Sequence, residues 1–404
     1  MLRLTLDHAR TALLHAQGLT GRQRKVRKAD LLTTIRRMGV LQIDTISVVN
    51  RSPYLVLWSR LGHYPLNWLT DLLAERKLFE YWAHAACFLP IESFGQYRRF
   101  MLERRAPDSR VNAWVSRREL QDTIEAVRKH VHENGEVRSA DFERTPDARG
   151  GWWNWKSEKL ALECLFDFGE LMVARRENFQ RIYDLQERVY PWDDAKTPDV
   201  NSIHADWVER TVSMLGVAPE RWLADYFRIK KGDVKRVLPG LVKAGTLTKV
   251  HVGDDPQAWY AHRDDLDTLQ QIADRAVKAS RTTVLSPFDP VVWDRERLLG
   301  LFGMDYKIEV YTPEHKRKFG YFTLPILHGA KMVGRLDPKA HRKDGVLEIR
   351  RLHLETGVKV TNKLVAGLNS ALHDFAQWHG TPEVRITDTD SPAFADALKS
   401  SGLD

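Results

Sequence analysis

One order of elements recurs along the first 262 residues: amphipathic helices, then a short two-stranded ribbon. Such a repeat constrains the chain to a string of small helix–ribbon modules, because each ribbon needs a helical face to cover it. In the first module Leu6, Ala9, Leu13 and Ala16 fall at helical spacing and Gly18 ends the helix. Asp30 is placed to cap a second helix that turns Leu31, Ile35 and Met38 to one side and stops at Gly39. Residues 40–46 read as a strand, Ser52-Pro53 opens another helix, and residues 77–89, with Phe79, Tyr81, Trp82 and Phe88, read as a ribbon. The second module sets Leu120, Ile124, Val127 and Val131 on a helix closed by Gly135. A helix over 157–168 and a hairpin over 171–185, turning at Glu177-Asn178, complete it. In the third, Val234, Val237, Leu238 and Leu241 precede Gly245, and strands at 247–252 and 259–261 are joined by Gly253-Asp254-Asp255-Pro256.

Helix, helix, hairpin is the winged-helix arrangement, related to the helix-turn-helix that tracks duplex DNA. The same fold also serves protein–protein modules, so the pattern alone does not assign a function. The remainder of the chain differs. Leu266, Leu269, Ile272 and Ala276 suggest a connecting helix. Strand-like runs follow at 307–311, 321–327, 331–336 and 346–353, broken by Pro313, Gly329 and Gly345. A helix carrying Leu364, Leu368, Leu372 and Phe375 and a strand near Val384 close the chain. The expectation is an α+β protein of three tandem winged-helix units, at 1–110, 111–200 and 201–265. A connector at 266–282 leads to a strand-rich C-terminal domain, a small β-barrel, at 283–404.

Composition narrows the partner. The formal charge is +8 and the pI about 9.3, with basic runs at Arg22/Arg24/Lys25/Arg27/Lys28, Arg98/Arg99/Arg104/Arg105, Lys230/Lys231/Lys235/Arg236 and Lys316/Arg317/Lys318. Acidic residues are sparse inside these runs, as a phosphate-tracking surface requires. Mean hydropathy of −0.43 and the lack of a long apolar run argue against a membrane span. The first residues reach Asp7 too soon for a secretory signal. Cys87 and Cys164 form neither a disulfide framework nor a thiolate metal motif, which points to a reducing cytoplasm. No metal-ligand, P-loop or dinucleotide motif is present, so neither metal nor cofactor is expected.

Gln42-Ile43-Asp44 is the segment with chemical potential. In an extended chain Leu41 and Ile43 pack inward while Gln42 and Asp44 project together. A carboxylate beside a carboxamide can hold one water; equally, Asp44 can cap the next turn and Gln42 can be a solvated polar residue. His84 is open to two readings, support of the same cleft beside Glu80 and Trp82 or a packed histidine. Asp289 and Asp294 read as turn and capping residues, and Trp152, Trp153 and Trp155 as packing. Lys316, Arg317 and Lys318 are open to two readings, a phosphate clamp or a solvated run.

Leu41-Gln42-Ile43-Asp44-Thr45-Ile46 with Arg51-Ser52-Pro53-Tyr54-Leu55-Val56-Leu57 resembles the AlkZ/AlkX (YcaQ-like) winged-helix DNA glycosylases that unhook interstrand crosslinks. Glu80-Tyr81-Trp82-Ala83-His84, Gly151-Trp152-Trp153-Asn154-Trp155-Lys156 and Asn178-Phe179-Gln180-Arg181-Ile182-Tyr183-Asp184-Leu185 strengthen the likeness. So do residues 285–295 and Lys316-Arg317-Lys318-Phe319-Gly320-Tyr321-Phe322; only the third module is less alike. The Gln-hydrophobic-Asp form is that of the AlkX branch. The resemblance implies hydrolysis of the N-glycosidic bond of N7-alkylated purines in DNA repair, including crosslink unhooking. Asp44 and Gln42 would be catalytic, His84 supporting, and Arg51, Lys316, Arg317 and Lys318 DNA contacts. The implied partner is duplex DNA carrying alkylated or crosslinked purines, with no obligate protein partner. A winged-helix transcriptional regulator is the alternative; it explains the charge and leaves the Gln42/Asp44 pairing without a role.

Overall fold

A computed structural model describes residues 2–21, 25–142 and 157–403. Arg22 and Arg24 of the first basic run, and the Trp152/Trp153/Trp155 cluster, lie outside the described residues. The chain condenses into two compact units, which it enters and leaves more than once: 1–65 with 83–87 and 204–404, and 66–82 with 88–203. No described helix is long and apolar enough to cross a membrane, and Cys87 and Cys164 are buried free thiols.

In the first unit the helices Leu6–Ala16 and Lys28–Met38 form where the apolar spacing puts them. Leu31, Ile35 and Met38 are buried, and Gly39 closes the second helix in the left-handed conformation. The ribbon Leu247–Val252/Trp259–His262 stands within a four-stranded sheet, flanked by Ala218–Pro219 and by Arg3–Leu4 running parallel to it. The C-terminal part is a five-stranded sheet in the order Thr282–Val284, Leu324–His328, Lys331–His341, Val346–Leu354, Glu383–Ile386. Its first four strands are antiparallel and the last pair is parallel.

This sheet is a curled half-barrel and does not close as the expected barrel would. The helix Asn362–Trp378 lies against its edge strand Thr282–Val284, so close that a Cβ on Gly367 would meet Thr282 Oγ1 at 2.5 Å. An edge covered by a helix needs no partner strand. The same helix receives Ser52–Leu61: Trp58 and Phe375 meet as a tilted pair with ring centroids 4.7 Å apart, and Trp378 donates to the Tyr64 carbonyl.

In the second unit the hairpin Leu171–Glu177/Gln180–Leu185 turns through Asn178 and Phe179, both at positive φ, the backbone that a tight two-residue turn requires. Glu80 is fully buried there between Arg176 and Arg181. In the run Arg98/Arg99/Arg104/Arg105, Arg98 and Arg104 are turned into this unit, while the Arg99 and Arg105 side chains stay 42% and 53% exposed. Arg98 is buried against Asp194 and the Gly169 carbonyl, Arg104 donates to Tyr81, and Arg99 and Arg105 pair with Glu103 and Glu170.

Candidate active site

The strand expected over 40–46 is regular only at Leu41–Gln42. Ile43 N–H still donates to the Ala86 carbonyl at 2.7 Å, so the backbone stays paired through residue 43. It then turns, because Ile46 N–H donates to Asp44 Oδ1 at 2.8 Å. The capping role open to Asp44 is therefore real, but it occupies one carboxylate oxygen. Leu41, Gln42 and Ile43 are all buried, so burial does not alternate as an open strand would have it. The Gln42 Oε1 atom is buried and receives no hydrogen bond among the described residues. A buried acceptor without a donor is uncommon in folded proteins and calls for a ligand or water. Asp44 is half-buried; burial pushes its carboxyl above the ordinary aspartate value, against the opposing pull of the Ile46 N–H.

The loop after Asp44 is held at its middle, at Val48 and Val49. Ala340 N–H, on the strand Lys331–His341, donates to the Val48 carbonyl at 3.2 Å, and the Arg342 guanidinium donates to the Val49 carbonyl. Arg51, partly exposed, precedes the helix Ser52–Leu61, whose Pro53 suits the first turn. That helix is fixed by a hydrogen bond between the Ser52 and Ser286 hydroxyls at 2.8 Å and by Arg60, buried against Asp289. Asp289 thus neutralises Arg60, and Asp294 caps the helix Arg295–Phe302 through Arg297 N–H, so neither is free for chemistry.

His84 does not share a strand face with Glu80 and Trp82. The strand ends at Trp82 and His84 sits in the turn that follows, stacked on Trp293 with ring centroids 4.4 Å apart. Its Nε2 lies 3.0 Å from Arg228 Nη2. Burial and the Arg228 and Arg297 charges push its pKa down to about 4, so the ring is neutral at pH 7 and can accept from Arg228.

Residues 307–311 form no strand. Glu309 turns inward and its carboxylate accepts from the backbone N–H groups of Lys318, Phe319 and Gly320 at 2.8–3.2 Å. The clamp residues are therefore unequal. Lys316 and Lys318 are exposed, whereas Arg317 donates to the Thr312 carbonyl at 2.9 Å and lies over the Tyr321 ring. Glu309 and Asp337, which organise this loop, carry no local sequence signal, since they act on backbone nine or more positions away. Among the described residues no group of three or more His, Cys, Asp or Glu could hold a metal.

The fold matches that of Streptomyces sahachiroi DNA glycosylase AlkZ, with a TM-score of 0.63 over 96% of this chain and 100% of that one, at 16% sequence identity. The family model for AlkZ-like DNA glycosylases matches residues 35–378, which include the Gln42–Asp44 segment, the loop that anchors it and most of the half-barrel. The chain belongs to the AlkZ-like DNA glycosylase family.

Proposed function

We propose that the protein hydrolyses the N-glycosidic bond of N7-alkylated purines in duplex DNA, crosslinked purines included, and leaves an intact abasic site. The observation that carries this reading is the buried Gln42 oxygen without a donor, two residues from a half-buried carboxylate. Both groups accept hydrogen bonds, and a water molecule has two hydrogens to give. Shared between them, it presents its lone pair to the sugar. Alkylation at N7 makes the base a cationic leaving group, so no general acid is needed. The Asp44 charge stabilises the oxocarbenium character at the deoxyribose and takes the water proton, while Gln42 orients the water. No lysine accompanies the pair on its segment, which favours water over a Schiff-base nucleophile. The Gln-hydrophobic-Asp form favours the AlkX branch, and the helix–ribbon repeats favour three winged-helix units as the DNA cradle. His84 supports the cleft as a neutral ring, and the buried thiols suit the cytoplasm. The test is base release from N7-methylguanine duplex with chelator present, beside borohydride trapping. Free base, an alkali-labile strand and no trapped complex are expected; a trapped complex or loss of activity to chelator would overturn the mechanism.

Arg51, Lys316, Arg317 and Lys318 are assigned to the phosphates. Because Arg317 is already engaged, Lys316→Ala with Lys318→Ala is the clean probe of DNA binding. The double variant should bind undamaged duplex more weakly whatever its sequence. The slope of log K against log salt should flatten by about 1.8, at about 0.9 for each phosphate that is no longer neutralised. An unchanged slope would place both lysines away from DNA.

A further inference from the structure

We propose that Tyr311 is a wedge that enters the base stack beside the damaged nucleotide; this rests on the glycosylase reading above. Tyr311 is 90% exposed, the most exposed large apolar side chain among the described residues, with Leu299 next at 52%. A single apolar residue facing water needs no explanation in itself. What distinguishes Tyr311 is the loop beneath it, which is locked at every stage. Thr312 N–H donates to the Glu309 carbonyl at 2.9 Å, closing a turn with Tyr311 as its third residue. The Glu309 carboxylate, itself buried, gathers three backbone N–H groups at Lys318, Phe319 and Gly320. Arg317 returns to the Thr312 carbonyl, next to the tip. Tyr321 and Phe322 N–H groups then donate to the two oxygens of buried Asp337 at 3.0 and 2.9 Å. Gly320, at φ +134°, lies so close that a Cβ would meet Asp337 at 2.5 Å.

So many backbone bonds to two buried carboxylates fix the direction of the tip before any partner arrives. Rigid presentation lowers the ordering cost of inserting a side chain. The partner chemistry is given by the flanks: Lys316 and Lys318 stand exposed on the same loop, a cationic pair suited to the phosphates either side of an opened step. Position is given by the strand Lys331–His341. Asp337 holds the Tyr311 loop, and Ala340, three residues on, holds Val48 in the loop that follows Asp44. At 3.3 Å per residue the two anchors are about 10 Å apart along the strand, a few base steps of duplex. An enzyme acting on a stacked nucleotide must break the stack, and a planar ring fills the space with little sequence preference.

The experiment compares wild-type protein with Tyr311→Ala, Tyr311→Phe and Tyr311→Trp. Single-turnover release is measured from N7-methylguanine duplex, and from the same duplex with a one-nucleotide gap beside the lesion, where the stack is already broken. Tyr311→Ala should slow release from intact duplex roughly 5- to 150-fold, the range that one base–aromatic stack is worth. The loss should shrink on the gapped substrate, and Tyr311→Phe and Tyr311→Trp should stay near wild type. A 2-aminopurine next to the lesion should brighten on binding Asp44→Asn protein and not when Tyr311→Ala is added to it. An unchanged rate and fluorescence in Tyr311→Ala would overturn the wedge, as would equal losses on both substrates or a Tyr311→Phe variant as poor as Tyr311→Ala. If wild-type protein released no base at all, the glycosylase reading would fail, while the 2-aminopurine signal would still report on the wedge.

Discussion

Asp44→Asn is expected to slow base release from N7-methylguanine duplex by about 10²–10⁴-fold or more, with DNA affinity close to wild type. Asparagine keeps the shape and still offers Oδ1 to the Ile46 N–H, so the turn after the site survives. It removes the charge that supports the sugar cation and the base that takes the water proton. Gln42→Ala should cost less, because the water is then less well oriented while the charge remains. The wild-type rate should fall as acid protonates Asp44, on a limb lying above the ordinary aspartate value because burial raises its pKa. Stability should move the other way. An aspartate whose pKa is raised on folding binds more protons folded than unfolded above pH 3.8, so its ionisation costs stability as pH rises through that window. The asparagine variant is free of that cost and should melt no lower than wild type at neutral pH. Single-turnover rates across pH and thermal midpoints of both proteins check this. Near-full activity in Asp44→Asn would remove the carboxylate from the mechanism, and a large drop in midpoint would assign it to folding.

Much of this architecture is legible along the chain because local periodicity and turn chemistry decide it. Leu364, Leu368, Leu372 and Phe375 fall at helical spacing and are all buried in one helix. The Leu171–Leu185 hairpin forms where the sequence places it, though its turn falls at Asn178-Phe179, one position beyond the expected Glu177-Asn178. Reading fails where distant residues impose the outcome. Residues 307–311 have strand-like composition, yet their structure is decided by Glu309 accepting from backbone at 318–320. The closure of the C-terminal sheet is decided by a helix that reaches its edge strand from more than seventy positions away. Helix Phe94–Arg105 is an intermediate case. Phe94, Tyr97 and Met101 carry the helical period, but of four arginines that look alike in sequence Arg98 and Arg104 bond within the unit while Arg99 and Arg105 stay exposed.

The candidate site divides in the same way. Gln42 and Asp44 can be nominated by residue type and by the resemblance of their segment, since two acceptors two positions apart suit one water. Nothing in that spacing shows that the Gln42 oxygen is buried without a donor or that Asp44 is half-buried; those follow from packing. His84 could be nominated by an expected place beside Glu80 and Trp82 and by the resemblance of its segment, but its actual neighbours could not. Its low pKa comes from burial, to which the stacked Trp293 contributes, and from the Arg228 charge; both residues lie more than a hundred positions further on.

Asp289→Ala should produce the largest loss of stability among the changes considered, about 3–5 kcal/mol, because it leaves a buried guanidinium without its counter-charge. Arg60 and Asp289 side chains are 1% and 0% exposed and meet through two bonds, Nη1–Oδ2 at 2.6 Å and Nη2–Oδ1 at 2.9 Å. The same carboxylate accepts from Val291 N–H, so the substitution also strands a backbone donor. For a cooperatively melting unit of this size the midpoint should fall on the order of 10 °C. Arg60 stands on the helix that follows the Gln42–Asp44 loop and donates to the Gln17 and Val56 carbonyls, so activity should decline at temperatures below the midpoint as that helix loosens. Arg60→Met combined with Asp289→Ala removes the buried charge along with its partner and should recover part of the loss. If the double variant instead fell by the sum of the two single changes, the cost would lie in packing and backbone bonding rather than in the uncompensated charge. Thermal and urea unfolding of the four proteins decide between these.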